Sequence, residues 1–185
     1  MSRLRIFAET DAQQPLFVAH EHAAIAEKLA AYGARFERWQ ASAAIVAGDS
    51  PDAVIAAYRT DIERLKTEGG YQAVDVISLD PNHPQKESLR KKFLDEHTHS
   101  EDEVRFFVAG SGLFSLHLGG QVFEVLCQQG DLISVPANTK HWFDMGPEPS
   151  FVAVRLFINP SGWVAHFTGS PIAIQFPRYE VGQAR

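Results

Sequence analysis

The sequence predicts a mainly β fold that also carries helices, an α+β arrangement built on a sandwich or small barrel with the helices packed outside. Two observations lead there. From residue 103 onward, segments 104–108, 113–118, 122–126, 131–135 and 151–158 are apolar or alternating and of strand length, and evenly spaced short strands mark sandwiches and barrels. Before about Leu94, apolar residues recur at spacings of three and four, the period of an amphipathic helix. The 185 residues favour one domain over 1–185, since a single core can grow to about 250 residues. Within it, a helical part over about 1–94 precedes a β core over about 95–177.

Taken in order, a first helix is expected from His20 to Tyr32, stopped near Gly33. Ser50 and Pro51 then make an N-cap and first-turn proline, and Val54, Ile55, Tyr58, Ile62 and Leu65 form one stripe that Gly69 and Gly70 close. Residues 73–79 read as an early strand and 85–94 as a short helix. In the second half, turn residues at 110–112, 119–120, 129–130 and 137–138 separate the strands. Residues 171–177 read as an edge strand, and fraying is expected after Tyr179.

Composition removes several function classes. The net charge of -6 opposes binding to phosphate backbones, which needs clustered Lys and Arg. No run approaches the about 18–20 apolar residues of a membrane span, so no membrane insertion is expected. A single Cys127 excludes an internal disulfide, and the N-terminus lacks the apolar run of a signal peptide, which points to the cytoplasm. Cys127 itself reads as a small buried hydrophobe.

Chemistry concentrates at His97, His99 and Glu103. In an extended chain, residues of equal parity share a face, so all three can meet one ion. Imidazoles with a carboxylate suit iron, nickel, manganese, cobalt or zinc, whereas calcium wants more oxygens. The alternative is a solvated loop, because residues 95–103 are highly polar. Downstream, Gly130, Pro136 and His141 mark a strand, a turn and a histidine entering the next strand, which adds a fourth ligand. His117 is the one internal competitor for the metal, and His166 lies too far out to rank.

The spacing of His97, His99, Glu103 and Gly110 resembles the first motif of the cupin superfamily, and Gly130, Pro136 and His141 approximate its second. Lys91, Asn138 and Met145 stand where the superfamily has glycine, glycine and asparagine, yet all four ligands are intact and Asn138 tolerates the left-handed region. The longer strings at 36–39 (FERW), 71–79, 92–107 (KFLDEHTHSEDEVRFF) and 133–146 (ISVPANTKHWFDMG) are similar to the bacterial acireductone dioxygenase family, over nearly the whole chain.

That resemblance implies a cupin-type double-stranded β-helix, or jelly-roll barrel, holding one Fe(II) or Ni(II) per monomer through His97, His99, Glu103 and His141. It implies oxidative cleavage of 1,2-dihydroxy-3-keto-5-methylthiopentene with O₂ in methionine salvage. Iron would give 4-methylthio-2-oxobutanoate and formate; nickel would give 3-methylthiopropanoate, formate and carbon monoxide. Arg105 shares parity with Glu103 and is expected to promote and bind the substrate dianion, the alternative being a surface arginine or one paired to the ligand carboxylate. Arg155, on the apolar strand 151–157, is a second anion-site candidate, because a charge there needs a partner. Glu96 and Asp102 have opposite parity to the ligands; auxiliary catalytic duty and a plain supporting carboxylate both fit them. Phe93, Phe143 and Trp163 are expected to wall the pocket, with ordinary core as the alternative. Another metal-dependent cupin dioxygenase or isomerase, or a non-enzymatic cupin binding module, remains as a rival reading.

Overall fold

The computed structural model describes residues 1–159 and 164–180. The chain runs β1 (Arg3–Ala8), β2 (Phe17–Ala19), α1 (His22–Ala30), β3 (Arg35–Arg38), α2 (Pro51–Ala57), α3 (Arg59–Gly69), β4 (Ala73–Leu79), α4 (Lys86–Leu94), β5 (His97–Thr98), β6 (Glu103–Leu118), β7 (Gln121–Gln128), β8 (Asp131–Val135), β9 (Lys140–Asp144), β10 (Phe151–Phe157), β11 (His166–Phe167) and α5 (Ile172–Gln175). Every pairing is antiparallel. One sheet has the order β2-β1-β7-β6-β9-β5-β11 and the other β3-β8-β6-β10-β4. No helix of the described residues is long and apolar enough to cross a membrane.

β6 belongs to both sheets. Its first half, from Glu103 to Gly110, pairs with β8 and β10, and its second half, from Ser111 to Leu118, pairs with β7 and β9. Residues 110–112, expected as a turn between two strands, instead bend one continuous strand. Gly110 makes the bend possible: its φ is 68°, and a Cβ there would stand 1.8 Å from the Ser150 carbonyl oxygen. Phe107, Ile133, Val135 and Phe151 from one sheet meet Phe114, Leu116, Phe123 and Phe143 from the other in the core between them.

The N-terminal part is less helical than expected, because it also supplies β1, β2 and β3. β1 carries a period of two, with Leu4 and Ile6 buried opposite Val125 and Phe123 of β7. The expected helices form nearly where the stripes place them, and β4 matches its expected span. Ser50 caps α2 by accepting from the Ala53 amide, but the long stripe is split at Tyr58. Tyr58 leaves helical angles, its hydroxyl accepts from the Ala43 amide, and its ring packs edge-on against Phe106 at 5.4 Å. With Val54, Ile62 and Leu65 it seals α2 and α3 onto the outer face of the second sheet.

The expected edge strand at 171–177 is a single helical turn, α5. Ile172, Ala173 and Phe176 bury against Phe7, Val122 and Trp142, a geometry that a short apolar run reaches equally well as helix or strand. Residues 181–185, where fraying was expected, lie outside the described residues.

Replacing Gly110 by alanine is expected to lower stability by more than about 3 kcal/mol, the sum of a strained backbone and a clash with main chain. A urea midpoint within error of the wild type would show that β6 does not depend on this bend.

Candidate active site

Four side chains converge where β5, β6 and β9 meet. His97 lies on β5 as the cross-strand partner of His141 on β9, His99 follows two residues later, and Glu103 opens β6. The ligand atoms of His97, His99 and His141 all lie within 4.8 Å of one another, and all three residues are buried. Equal parity therefore brings His97 and His99 to one face, and the ladder brings His141 to meet them.

The second ring nitrogen of each histidine is occupied. Nδ1 of His97 donates to the Asp95 carbonyl at 2.7 Å, Nδ1 of His141 to the Thr139 carbonyl at 2.7 Å, and Nδ1 of His99 faces the Val164 carbonyl at 3.4 Å. A carbonyl only accepts, so Nδ1 carries the proton and Nε2 presents a lone pair to the centre. Burial, reinforced by the neighbouring His141, lowers the His97 pKa to about 4. Burial likewise lowers that of His99, so both rings are neutral at pH 7.

Glu103 supplies the negative charge. Burial alone would raise its carboxyl, but the Arg105 guanidinium together with His141 and His99 holds it well below the usual range. Its Oε1 accepts from Arg105 Nε at 2.5 Å, while Oε2 sits 2.9 Å from His141 Nε2 and 3.5 Å from His99 Nε2. Neither Oε2 nor His141 Nε2 makes an aligned hydrogen bond, although both are fully buried. Two orphaned polar atoms at that spacing, beside two more imidazoles, suit a divalent ion that would satisfy them together.

The centre opens onto a cavity of about 330 Å³ bounded by Ile77, Leu89, Phe93, Arg105 and Arg155, with His97 and His99 at its base. Arg105 is buried, and its Nη1 has no hydrogen-bond partner. Its guanidinium lies 4.6 Å from the Phe143 ring centroid and 5.1 Å from that of Phe114. The pairing to the Glu103 carboxylate, one of the two expectations for this arginine, is present through Nε, while Nη1 is left over. Arg155 stands across from Arg105 in register, and its partner is Asp75 on β4, held at 2.7 and 2.6 Å.

The remaining expected residues divide. Phe93 lines the cavity, whereas Phe143 lies beneath Arg105 in the core, where a Cβ on Gly112 would touch its ring at 2.4 Å. Trp163 lies outside the described residues. The Glu96 and Asp102 carboxylates point away from the centre, as their parity implied. Glu96 is buried and joins His117 Nδ1 at 2.6 Å and the Thr168 hydroxyl at 2.6 Å, while Asp102 accepts from the Ala137 amide at 2.8 Å. These contacts brace β5 and the turn before β9. His117 is spent between Glu96 and Glu9 and does not reach the three histidines.

Sequence reasoning missed Ile77, Leu89, Lys92 and Ala165 around the cavity, Asp75 as the partner of Arg155, and Thr168 as that of Glu96. A lone acid within the apolar strand of residues 73–79 was the available signal for Asp75, since Arg155 is its mirror on another apolar strand. A wider groove of about 530 Å³ between α4 and α5 touches none of the converging residues.

The depressed His97 value sets the sign of an acid effect on the metal-free protein. The unfolded chain takes up this proton near pH 6.5 and the folded chain near 4, so stability is full above 6.5 and declines as pH falls toward 4. His97 alone is expected to cost about 2 kcal/mol between pH 7 and pH 5. Urea unfolding of chelator-treated protein at the two values measures it, and an unchanged midpoint would mean that His97 is not held neutral by burial.

Comparison with known proteins agrees with this geometry. Residues 3–165 match the model of the ARD/ARD′ family. The chain is 58% identical over 179 residues to an acireductone dioxygenase of Xanthomonas oryzae pv. oryzae, covering 97% of this chain and 95% of that protein. It is also 58% identical over 184 residues to an acireductone dioxygenase of Stenotrophomonas maltophilia, covering both chains in full. Among solved structures, it is similar to an acireductone dioxygenase from Bacillus anthracis with cadmium ion in the active centre, with a TM-score of 0.79 and 31% identity over 90% of this chain and 98% of that one. A barrel with three histidines buried around one point, and relatives matched end to end, show that the chain belongs to the acireductone dioxygenase (ARD/ARD′) family.

Proposed function

We propose that the chain acts as an acireductone dioxygenase, holding one Fe(II) or Ni(II) through His97, His99, Glu103 and His141 and cleaving 1,2-dihydroxy-3-keto-5-methylthiopentene with O₂ in methionine salvage. The observation that carries this reading is the pair of orphaned atoms, Glu103 Oε2 and His141 Nε2, 2.9 Å apart and gathered with His97 and His99, the two histidines that line the cavity together with Arg105. When bound, the ion supplies a Lewis acid that takes two neighbouring enediol oxygens and lowers their proton affinity. Iron is assigned the keto acid and formate, and nickel the shorter methylthio acid, formate and carbon monoxide.

The residues divide the work. The three imidazoles and one carboxylate would hold the ion and leave it able to accept substrate oxygens. Arg105 Nη1 offers a charge-assisted hydrogen bond to the oxygen that develops negative charge, in a place that excludes water. Phe143 and Phe114 fix the guanidinium so that it need not reorganise. Ile77, Leu89 and Phe93 offer an apolar wall to the methylthio end. Glu96 and Asp102 serve by holding β5 and the turn before His141 in place, rather than by touching substrate. The reading extends to a monomer acting in the cytoplasm.

Separate reconstitution of metal-free protein with Fe(II) and with Ni(II) is expected to give 4-methylthio-2-oxobutanoate from one and carbon monoxide from the other. Absence of oxygen uptake in protein shown to be loaded would overturn the reading. Arg105→Ala is expected to keep stoichiometric metal while losing at least about 100-fold in kcat/KM. Turnover at the wild-type rate would remove Arg105 from the chemistry.

A further inference from the structure

The cavity contains two arginines whose surroundings differ. Arg105 shares only Nε with Glu103 and keeps Nη1 without a hydrogen bond. Arg155, its cross-strand partner, is gripped through Nε and Nη2 by both oxygens of Asp75. Asp75 in turn is the cross-strand partner of Arg155 on β4, with its side chain 47% exposed against 13% for Arg155. A row of four charges thus crosses three adjacent strands, with the two neighbouring arginines flanked by Glu103 on one side and Asp75 on the other.

We propose that Asp75 is a positioning residue that cancels the charge of Arg155 and so matches the net charge of the pocket to a doubly deprotonated enediol. The inference rests on the reading of the site given above. With neutral imidazoles, a divalent ion, the Glu103 carboxylate and Arg105 together leave two positive charges. An uncompensated Arg155 would make three, at a depth where solvent does little to screen it. Lys92 also borders the cavity but is exposed, and its charge is damped by water and salt. A third charge would hold the anionic substrate and products alike, tightening the ground state without helping the reaction.

The Arg155–Asp75 pair makes a prediction with opposite signs at its two members. Oxalate, a dianion with two neighbouring oxygen donors, serves as the probe, titrated calorimetrically into Ni(II)-loaded protein whose metal content is measured before and after. Asp75→Asn is expected to bind oxalate about tenfold more tightly than wild type and Arg155→Gln about tenfold more weakly. The double variant, which removes both charges, is expected within about twofold of wild type, as is Asp75→Glu. In turnover, Asp75→Asn should lower KM and kcat together. Weakening by both single variants would show that the pair is only scaffold and would overturn the proposal. So would equal binding by all variants. If one single variant fails to fold, the other and the double still fix the sign. No oxalate binding by loaded wild type would instead overturn the site reading itself, and this proposal with it.

Discussion

Everything in this molecule depends on one strand serving two sheets. β6 ties β8 and β10 on one side of Gly110 to β7 and β9 on the other, so the two layers cannot shift without stretching a covalent chain. Its first residue is Glu103 and its third is Arg105, both aimed inward. The buried carboxylate and guanidinium thus stand at the start of the most heavily paired element. His141 comes from β9, beside the second half of the same strand, and His97 from β5, one strand further out.

Placing a carboxylate, a guanidinium and three imidazoles in one apolar barrel is expensive unless each is satisfied. The structure answers with backbone carbonyls behind the histidines, with Glu103 against Arg105, and with Asp75 against Arg155. Seven buried side-chain atoms of the described residues are left without a hydrogen bond, and three of them, Glu103 Oε2, His141 Nε2 and Arg105 Nη1, cluster at this centre. Buried polar atoms elsewhere are largely structural, but these three mark where something from outside belongs.

Much of this was legible in the residues, and the exceptions share a cause. Parity alone placed His97, His99, Glu103 and Arg105 on one face and turned Glu96 and Asp102 away, because alternation is a property of the local chain. The opening strand β1 shows an equally plain period of two but is short and charged, and it was absorbed into a helical half. Residues 110–112 looked like a turn because glycine serves reversals and bends alike. Ile172–Gln175 has no periodicity long enough to tell helix from strand. The partners of Arg155, Glu96 and His117 were invisible, since they depend on register between strands far apart in sequence: Asp75, Thr168 and Glu9. His141 stood out through the strand and turn that lead into it, from Gly130 through Pro136, a setting His117 lacks, and the resemblance added to that signal.

The tail of the chain finishes the centre. β11 lays Phe167 opposite His97, the Thr168 amide and hydroxyl both bond Glu96, and the Val164 carbonyl faces Nδ1 of His99. All four converging side chains have been synthesised by residue 141, yet the groups that orient two of them arrive only after residue 163. A chain still leaving the ribosome would therefore carry the donors without their final orientation. The centre is thus finished by the last part of the barrel to be made.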